Sequence, residues 1–320
     1  GVGSEPELEV EERQDEPATP SATVAAAPSD LLEEVLRTVP SPLADFPSGA
    51  AFGTLVHTVL EYVDPAGDDL ATELRERCTE AVERRFGTSI DPVALADGLL
   101  PTFETPLGPL ADGRRLRDFA LTDRLAELDF ELPLAGGDHP RLADATVAAI
   151  ADVLRRHLPG DDPLAGYADA LEVPGLRSQR LRGYLSGSLD AVLRVRSPGG
   201  EARYVVVDYK TNWLGGFAPA GAEPLTAWDY RPEAMAAEMI RAHYPLQALL
   251  YSVALHRFLR WRQPVYDPTT HLGGVLYLFL RGMCGPETPV VGGVPCGVFS
   301  WQPPAGLIQD LSDLLDRGAP

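Results

Sequence analysis

Lys210 is the single lysine in 320 residues, and it stands two positions after Asp208 in Tyr-Val-Val-Val-Asp-Tyr-Lys-Thr-Asn-Trp, residues 204–213. The other basic side chains among the 27 Lys and Arg are all arginine. Arginine stays charged and spreads its charge over a planar fork, whereas lysine offers a compact, titratable amine that fits beside a carboxylate and a water. Tyr204 to Asp208 reads as a short apolar run ending in charge, the pattern of a buried strand emerging at a sheet edge. Side chains alternate along a strand, so Asp208 and Lys210 share one face and Tyr209 takes the other. Upstream, residues 187–195 alternate too, with Leu189, Ala191, Leu193 and Val195 on one face and Asp190 on the opposite one. Ser197-Pro-Gly-Gly between the runs is a turn signal. The expected unit is a hairpin with Asp190 on one arm and Asp208 and Lys210 on the other.

Two carboxylates facing one cleft repel unless a cation sits between them, and oxygen ligands with an open coordination sphere suit Mg2+. Such an ion polarises a phosphoryl oxygen and acidifies a bound water, while Lys210 orients that water or steadies developing charge. This is the chemistry of phosphodiester hydrolysis. The spacing alone equally allows a surface hairpin in which Asp190 is solvated and Asp208 pairs with Lys210, a pair worth little.

Several separated blocks resemble the RecB-type C-terminal nuclease domains of RecBCD helicase-nucleases (exodeoxyribonuclease V), within the PD-(D/E)xK superfamily. They are residues 187–190, 208–215, 244–259 and 271–282, with 47–61 before them and 304–308 after, so the resemblance covers about residues 40–318. It implies an α/β restriction-endonuclease-like core, a small mixed sheet flanked by helices, with a helical N-terminal insertion. It also implies site roles. His57, Asp190, Asp208 and the backbone carbonyl of Tyr209 match metal ligands, Asp190, Asp208 and Lys210 match the catalytic set, and Gln247 and Tyr251 match a Gln-x-x-x-Tyr motif on the DNA side. The implied activity is Mg2+-dependent cleavage of single DNA strands delivered by a RecBCD-type helicase in double-strand-break repair and homologous recombination. Implied partners are DNA, the helicase part of RecB, RecC, RecD and the recombinase RecA, in a bacterial cytoplasmic, nucleoid-associated setting without membrane contact. The alternative is a weakly active or inactive interaction module docking on partner subunits or RecA. A restriction-type endonuclease would need a target-recognition region, and none is found.

The surrounding residues are consistent with that placement. In 52–63, Leu55, Val59 and Val63 recur at helical spacing and His57 with Glu61 lies on another stripe, where a histidine serves as ligand or as a satisfied core residue. His243, Gln247 and Tyr251 fall on successive turns of one helical face, with Leu246, Leu249, Leu250, Val253 and Leu259 supplying apolar bulk. His256 and His271 read as packing or capping groups, His139 as a loop residue and His157 as a cation near a helix end. Trp213 either stacks on a base or closes the core.

Helices are expected around 30–38, 50–63, 68–86, 91–101, 143–158, 233–262 and 304–317, and strands near 124–134, 184–196, 203–210 and 272–281. The Pro- and Gly-rich stretch 214–232 is either a DNA-contacting loop or slack. Residues 1–40 are expected to form an acidic disordered linker and 41–320 the nuclease domain. The start at Gly1-Val-Gly-Ser, without Met, fits a piece of a longer polypeptide or a processed chain. No apolar run suits a bilayer span or a secretory signal. Cys78, Cys284 and Cys296 support neither a disulfide framework nor the four-cysteine iron-sulfur site of some relatives, and a reducing cytoplasm fits them.

The net charge of −20 is awkward for DNA binding. Ten acids against Arg13 in residues 1–34 account for nine of those charges, leaving an excess of eleven. Weak intrinsic DNA affinity follows, compensated by metal, by a local groove or by tethering to a motor. Arg177, Arg180 and Arg182, and Arg257, Arg260 and Arg262, are either phosphate contacts or ordinary solvated charges.

Overall fold

A computed structural model describes residues 30–85, 89–134, 145–181, 183–196, 200–218 and 221–318. Five strands form one mixed sheet in chain order: β1 (Arg124–Pro133), β2 (Tyr184–Arg196), β3 (Ala202–Lys210), β4 (Leu272–Phe279) and β5 (Val298–Trp301). β1, β2 and β3 are antiparallel neighbours, with Ala191 opposite Val207, so the expected hairpin forms. β4 lies parallel to β3, and β5 returns antiparallel to β4. β3 is therefore the middle strand and does not emerge at an edge. Val205 through Lys210 are all buried because both faces are covered, which is why the strand reads as an unbroken apolar run.

Parallel neighbours require a crossover. Here it contains α6 (Pro232–Arg241) and α7 (Tyr244–Arg262), taking the place of the single helix expected over 233–262. The break falls at His243, whose φ is +56°, and Pro245 follows in the first turn of α7, where a missing N–H costs nothing. His243 therefore precedes α7 and does not share its helical face; its Nδ1 lies 3.1 Å from the Tyr167 hydroxyl. The crossover brings the N-terminus of α7 to the end of β3, next to Lys210.

Two layers sandwich the sheet. On one side α2 (Ala50–Tyr62), α3 (Leu70–Glu83) and α4 (Pro92–Glu104) bury Phe52, Leu55, Val59, Leu74 and Leu99 against Ala191, Leu193, Val205, Val207 and Tyr209. α3 and α4 are the helical insertion after His57. Their starts are fixed by Asp69, which accepts from the Thr72 N–H, and by Asp91 with Pro92 in the first turn. α4 runs on through Pro101 to Glu104, beyond the expected end at 101. On the other side α5 (Val147–His157), α7 and α8 (Ala305–Arg317) pack on Leu189, Val192, Val206 and Tyr277. Each such leucine or valine, fully buried, contributes about 1.5–3 kcal/mol. Of the stretch expected as a linker, residues 1–29 lie outside the described residues, and α1 (Asp30–Arg37) packs Leu36 against Ala227 and Cys296. β5 was not among the expected strands. No helix among the described residues is long and apolar enough to cross a membrane.

The alternation on β2 shifts at Asp190. Leu189 packs with the α7 layer, whereas Ala191, Leu193 and Val195 pack with the α2 layer, so the four do not share a face as the spacing implied. Opposite Asp190, between the pairs Ala126–Ala191 and Leu128–Leu189, stands Glu127 with φ +45°. A left-handed backbone at a residue with a Cβ costs about 1–2 kcal/mol. Glu127→Gly is accordingly expected to leave stability unchanged or raise it, and Glu127→Val to lower it by about 1–2 kcal/mol in urea unfolding; equal stability of both variants would contradict the assignment.

Arg281 is fully buried and ties three segments together. It donates to the Thr211 carbonyl at 2.8 Å, to Phe46 at 3.2 Å, to Pro47 at 2.5 Å and to Leu43, with its guanidinium between the rings of Phe52 and Trp213. Trp213 thus packs on this hub. Arg281→Lys keeps the charge but loses the fork, and is expected to cost about 2–3 kcal/mol of unfolding free energy. A loss below about 0.5 kcal/mol in the same urea experiment would show that the carbonyls do not depend on it.

Candidate active site

Three segments converge at the C-terminal end of β3. β3 itself brings Asp208, Tyr209 and Lys210, β2 brings Asp190, and α2 brings His57. Gly53, one turn before His57, sits where a Cβ would lie 3.3 Å from Thr211 Oγ1, so α2 rests directly on the turn that follows Lys210. At its other end α2 is held by Arg124, which donates to the carbonyls of Leu60 and Val63.

His57 Nε2 lies 2.9 Å from the Tyr209 carbonyl oxygen. A carbonyl only accepts, so that nitrogen carries the proton. Its Nδ1 faces Asp190 Oδ1 at 3.3 Å, and Asp190 Oδ2 accepts the Tyr209 N–H at 2.8 Å. Burial opposes the charged imidazole, but the hydrogen bond and charge of Asp190, with Asp208 behind it, outweigh burial and raise the His57 pKa.

Asp208 and Lys210 share the α7 face, as the alternation predicts. Their charged atoms are 2.8 Å apart, with only 3% and 7% of the side chains exposed. Burial pushes the Asp208 carboxyl up to about 6, against the pull of Lys210 and with the help of Asp190. Burial acts the other way on Lys210, yet Asp208 overrides it and the ammonium stays charged. Lys210 Nζ also donates to Gln247 Oε1 at 3.3 Å and lies 4.2 Å from the Tyr244 ring centroid and 5.5 Å from that of Tyr277. Gln247 is itself fixed: its oxygen accepts from the Tyr277 hydroxyl at 3.0 Å, and its amide donates to Tyr251 at 2.9 Å.

All seven residues singled out by sequence therefore meet in one cluster. His57, Asp190 and the Tyr209 backbone form one side, and Asp208, Lys210, Gln247 and Tyr251 the other. Among the described residues no three His, Cys, Asp or Glu side chains form a ready ion cage. The donor set is nevertheless of the right type for a hard divalent ion, with two carboxylates, a carbonyl and an imidazole. Asp208 Oδ2 is buried, and beyond the Lys210 ammonium at 2.8 Å no donor among the described residues meets it, which leaves it capacity to accept a cation.

Sequence reasoning did not single out Tyr244, Tyr277, Asn212, Glu238 or Arg281 as site residues. Asn212 donates to Glu238 at 3.1 Å and to the Tyr244 hydroxyl at 3.0 Å, and its carbonyl accepts from Tyr230 at 2.7 Å, which anchors the turn after Lys210. The available signal was Tyr244, one turn before Gln247, and Tyr277, directly opposite Asp208 in the parallel register. Arg257 is engaged with Ser312 and the Pro133 carbonyl and is not a free phosphate contact. His256 bonds Tyr266 and His271 caps at Asp267, while His157 pairs with Asp310. His139 and Arg182 lie outside the described residues.

The family model for the PD-(D/E)XK nuclease superfamily matches residues 31–292. The chain is 52% identical over 320 residues to the RecBCD enzyme subunit RecB of Mycolicibacterium smegmatis, covering all of this chain and 28% of that protein. It is 55% identical over 287 residues to the RecB subunit of Mycobacterium tuberculosis, covering 87% and 25%. With the RecB subunit of Escherichia coli it shares 33% over 269 residues, covering 84% and 19%. The chain thus spans about a quarter or less of the length of these relatives. With the mixed sheet, its flanking helices and the family match in agreement, the chain belongs to the PD-(D/E)XK nuclease superfamily.

Proposed function

We propose that this chain is the Mg2+-dependent deoxyribonuclease module of a RecBCD-type enzyme, hydrolysing phosphodiester bonds of single strands that the helicase part delivers during double-strand-break repair and recombination. The observation that carries the reading is the meeting of His57, Asp190 and the Tyr209 carbonyl beside the buried Asp208–Lys210 pair. RecC, RecD and RecA are the proposed partners, in the bacterial cytoplasm at the nucleoid.

Asp190, Asp208, the Tyr209 carbonyl and His57 are the residues that would hold the ion. A divalent cation supplies Lewis-acid polarisation of a phosphoryl oxygen and lowers the pKa of a water. Hydrolysis joins a water oxygen to phosphorus and breaks one P–O ester bond, with the departing oxygen taking up a proton. Lys210 acts as a charged donor and not as a base, because Asp208 holds its proton in place. From that position it steadies either the water or the charge developing on phosphate. Gln247 and Tyr251 keep the ammonium oriented and face the strand.

Labelled single-stranded DNA with Mg2+ tests this, first with the chain alone and then with the helicase part and partner subunits restored. Asp208→Ala and Lys210→Ala are expected to lower cleavage by about 100-fold or more. Wild type and both variants leaving DNA equally intact in the restored complex would replace the enzyme with an interaction module. Calorimetric titration with Mg2+ provides a second check: Asp190→Ala and Asp208→Ala should each abolish measurable uptake, and uptake unchanged in both would move the ion elsewhere.

A further inference from the structure

We propose that Phe130 and Tyr251 form a ledge that stacks a nucleobase beside the active site, so that a single strand is gripped there by its bases more than by its phosphates. The substrate class rests on the nuclease reading above; the ledge itself rests on geometry. β2 pairs with β3 only as far as Ala191–Val207, whereas β1 and β2 continue from Leu128–Leu189 to Pro133–Tyr184. They form a two-stranded arm reaching past the end of β3. On that arm Phe130 is paired with Gly187, three residues from Asp190, or about 10 Å at strand rise.

Gly187 is not among the glycines with positive φ, so its backbone does not demand glycine. A Cβ there would lie 2.8 Å from Phe130 Cζ and 3.1 Å from Cε1. The missing side chain lets the Phe130 ring lie on the strand, a use of glycine at close approaches. The ring meets Tyr251 edge-on, with centroids 6.0 Å apart at 83°, and both residues are half-buried. Tyr251 is bonded to Gln247 and Gln247 to Lys210, so the ledge is joined to the catalytic cluster by direct contacts.

The charge around the ledge favours a base over a phosphate. Leu128 and Leu132 share the face of Phe130 on its strand, with Asp129 and Glu131 exposed on the opposite face of the arm, and Arg257 is spent on Ser312 and Pro133. Those apolar neighbours offer a phosphate no charge to pair with, whereas the face of a base needs no cation and stacks on an aromatic ring whatever its sequence. An acidic protein can hold a strand in this way with few released counterions.

The test uses the 320-residue chain and a short single-stranded oligonucleotide containing 2-aminopurine, without divalent cation so that nothing is cut. Wild type is expected to quench the fluorophore, and affinity should fall only weakly with salt. Phe130→Leu keeps apolar volume but has no aromatic face. It is expected to lose the quenching and about ten-fold in affinity, and with Mg2+ to raise KM about ten-fold with kcat within two-fold, whereas Phe130→Tyr keeps wild-type values. Quenching and KM unchanged in Phe130→Leu, or a salt slope reporting several phosphate contacts, would overturn the ledge. Cleavage by wild type and its loss in Asp208→Ala judge the nuclease reading separately, and binding without cation judges the ledge whichever way that falls.

Discussion

A buried ammonium beside a buried carboxylate is the constraint on which the site depends. Moving either charge out of water costs several kcal/mol even after relaxation, and the attraction between them offsets this only when their remaining hydrogen-bonding capacity is met. Lys210 meets it with Asp208, Gln247 and the faces of two tyrosines. Asp208 meets it less completely, since burial and the neighbouring Asp190 both act against its ionised form. The imbalance is the useful part. A buried carboxylate left short of partners favours a cation beside it, while the ammonium is already satisfied and keeps its place.

Satisfying Lys210 dictates much of the architecture. Gln247 and Tyr244 reach it because the parallel pairing of β3 and β4 forces the chain to cross over and start α7 at the end of β3. Tyr277 reaches it because the register sets that residue opposite Asp208. On the other face His57 reaches the Tyr209 carbonyl because Gly53 lets α2 rest on the turn after Lys210 and because Arg281 binds that turn to the segment leading into α2. The strained backbone of Glu127 sits opposite the point where β2 changes its alternation, and it persists because β1 is paired on both sides of it.

The parts of this arrangement that were readable in the sequence are those governed by short periods. Asp208 and Lys210 share a face because they lie two positions apart on one strand, and the hairpin with β2 was read from alternation and a Pro-Gly turn signal in the sequence. His57, Asp190, Gln247 and Tyr251 could be placed only through the family pattern, since each reaches the site across a long stretch of chain. Arg281 had no local signature at all: its acceptors are backbone carbonyls some 70 to 240 positions away. Tyr244 and Tyr277 were hidden for a different reason, as their positions fit an apolar helix face and an apolar strand. The shift at Asp190 and the break at His243 were missed because both occur at residues with side chains, in runs whose hydrophobic pattern continues past them. β5 was missed because four residues are too few to establish a period.

The acidity of the chain and the design of the site pull in opposite directions, and the geometry suggests how they coexist. Glu61, Glu127 and Asp129 lie close enough to one another that burial and their mutual charge raise the Glu127 carboxyl above its usual range. A phosphate brought close to those carboxylates would be repelled. On the proposed reading, a cation at the carboxylates would offset that charge locally, and the aromatic surface of the arm would add attraction that charge does not oppose. Neither device makes binding tight, and on the proposed reading tightness is unnecessary. The matched region is about a quarter of the length of its relatives, and a strand handed over within one longer polypeptide is presented at an effective concentration that free DNA does not reach. On that reading low intrinsic affinity would restrict cutting to strands that are delivered, whereas a basic cleft would also engage any DNA that diffused in.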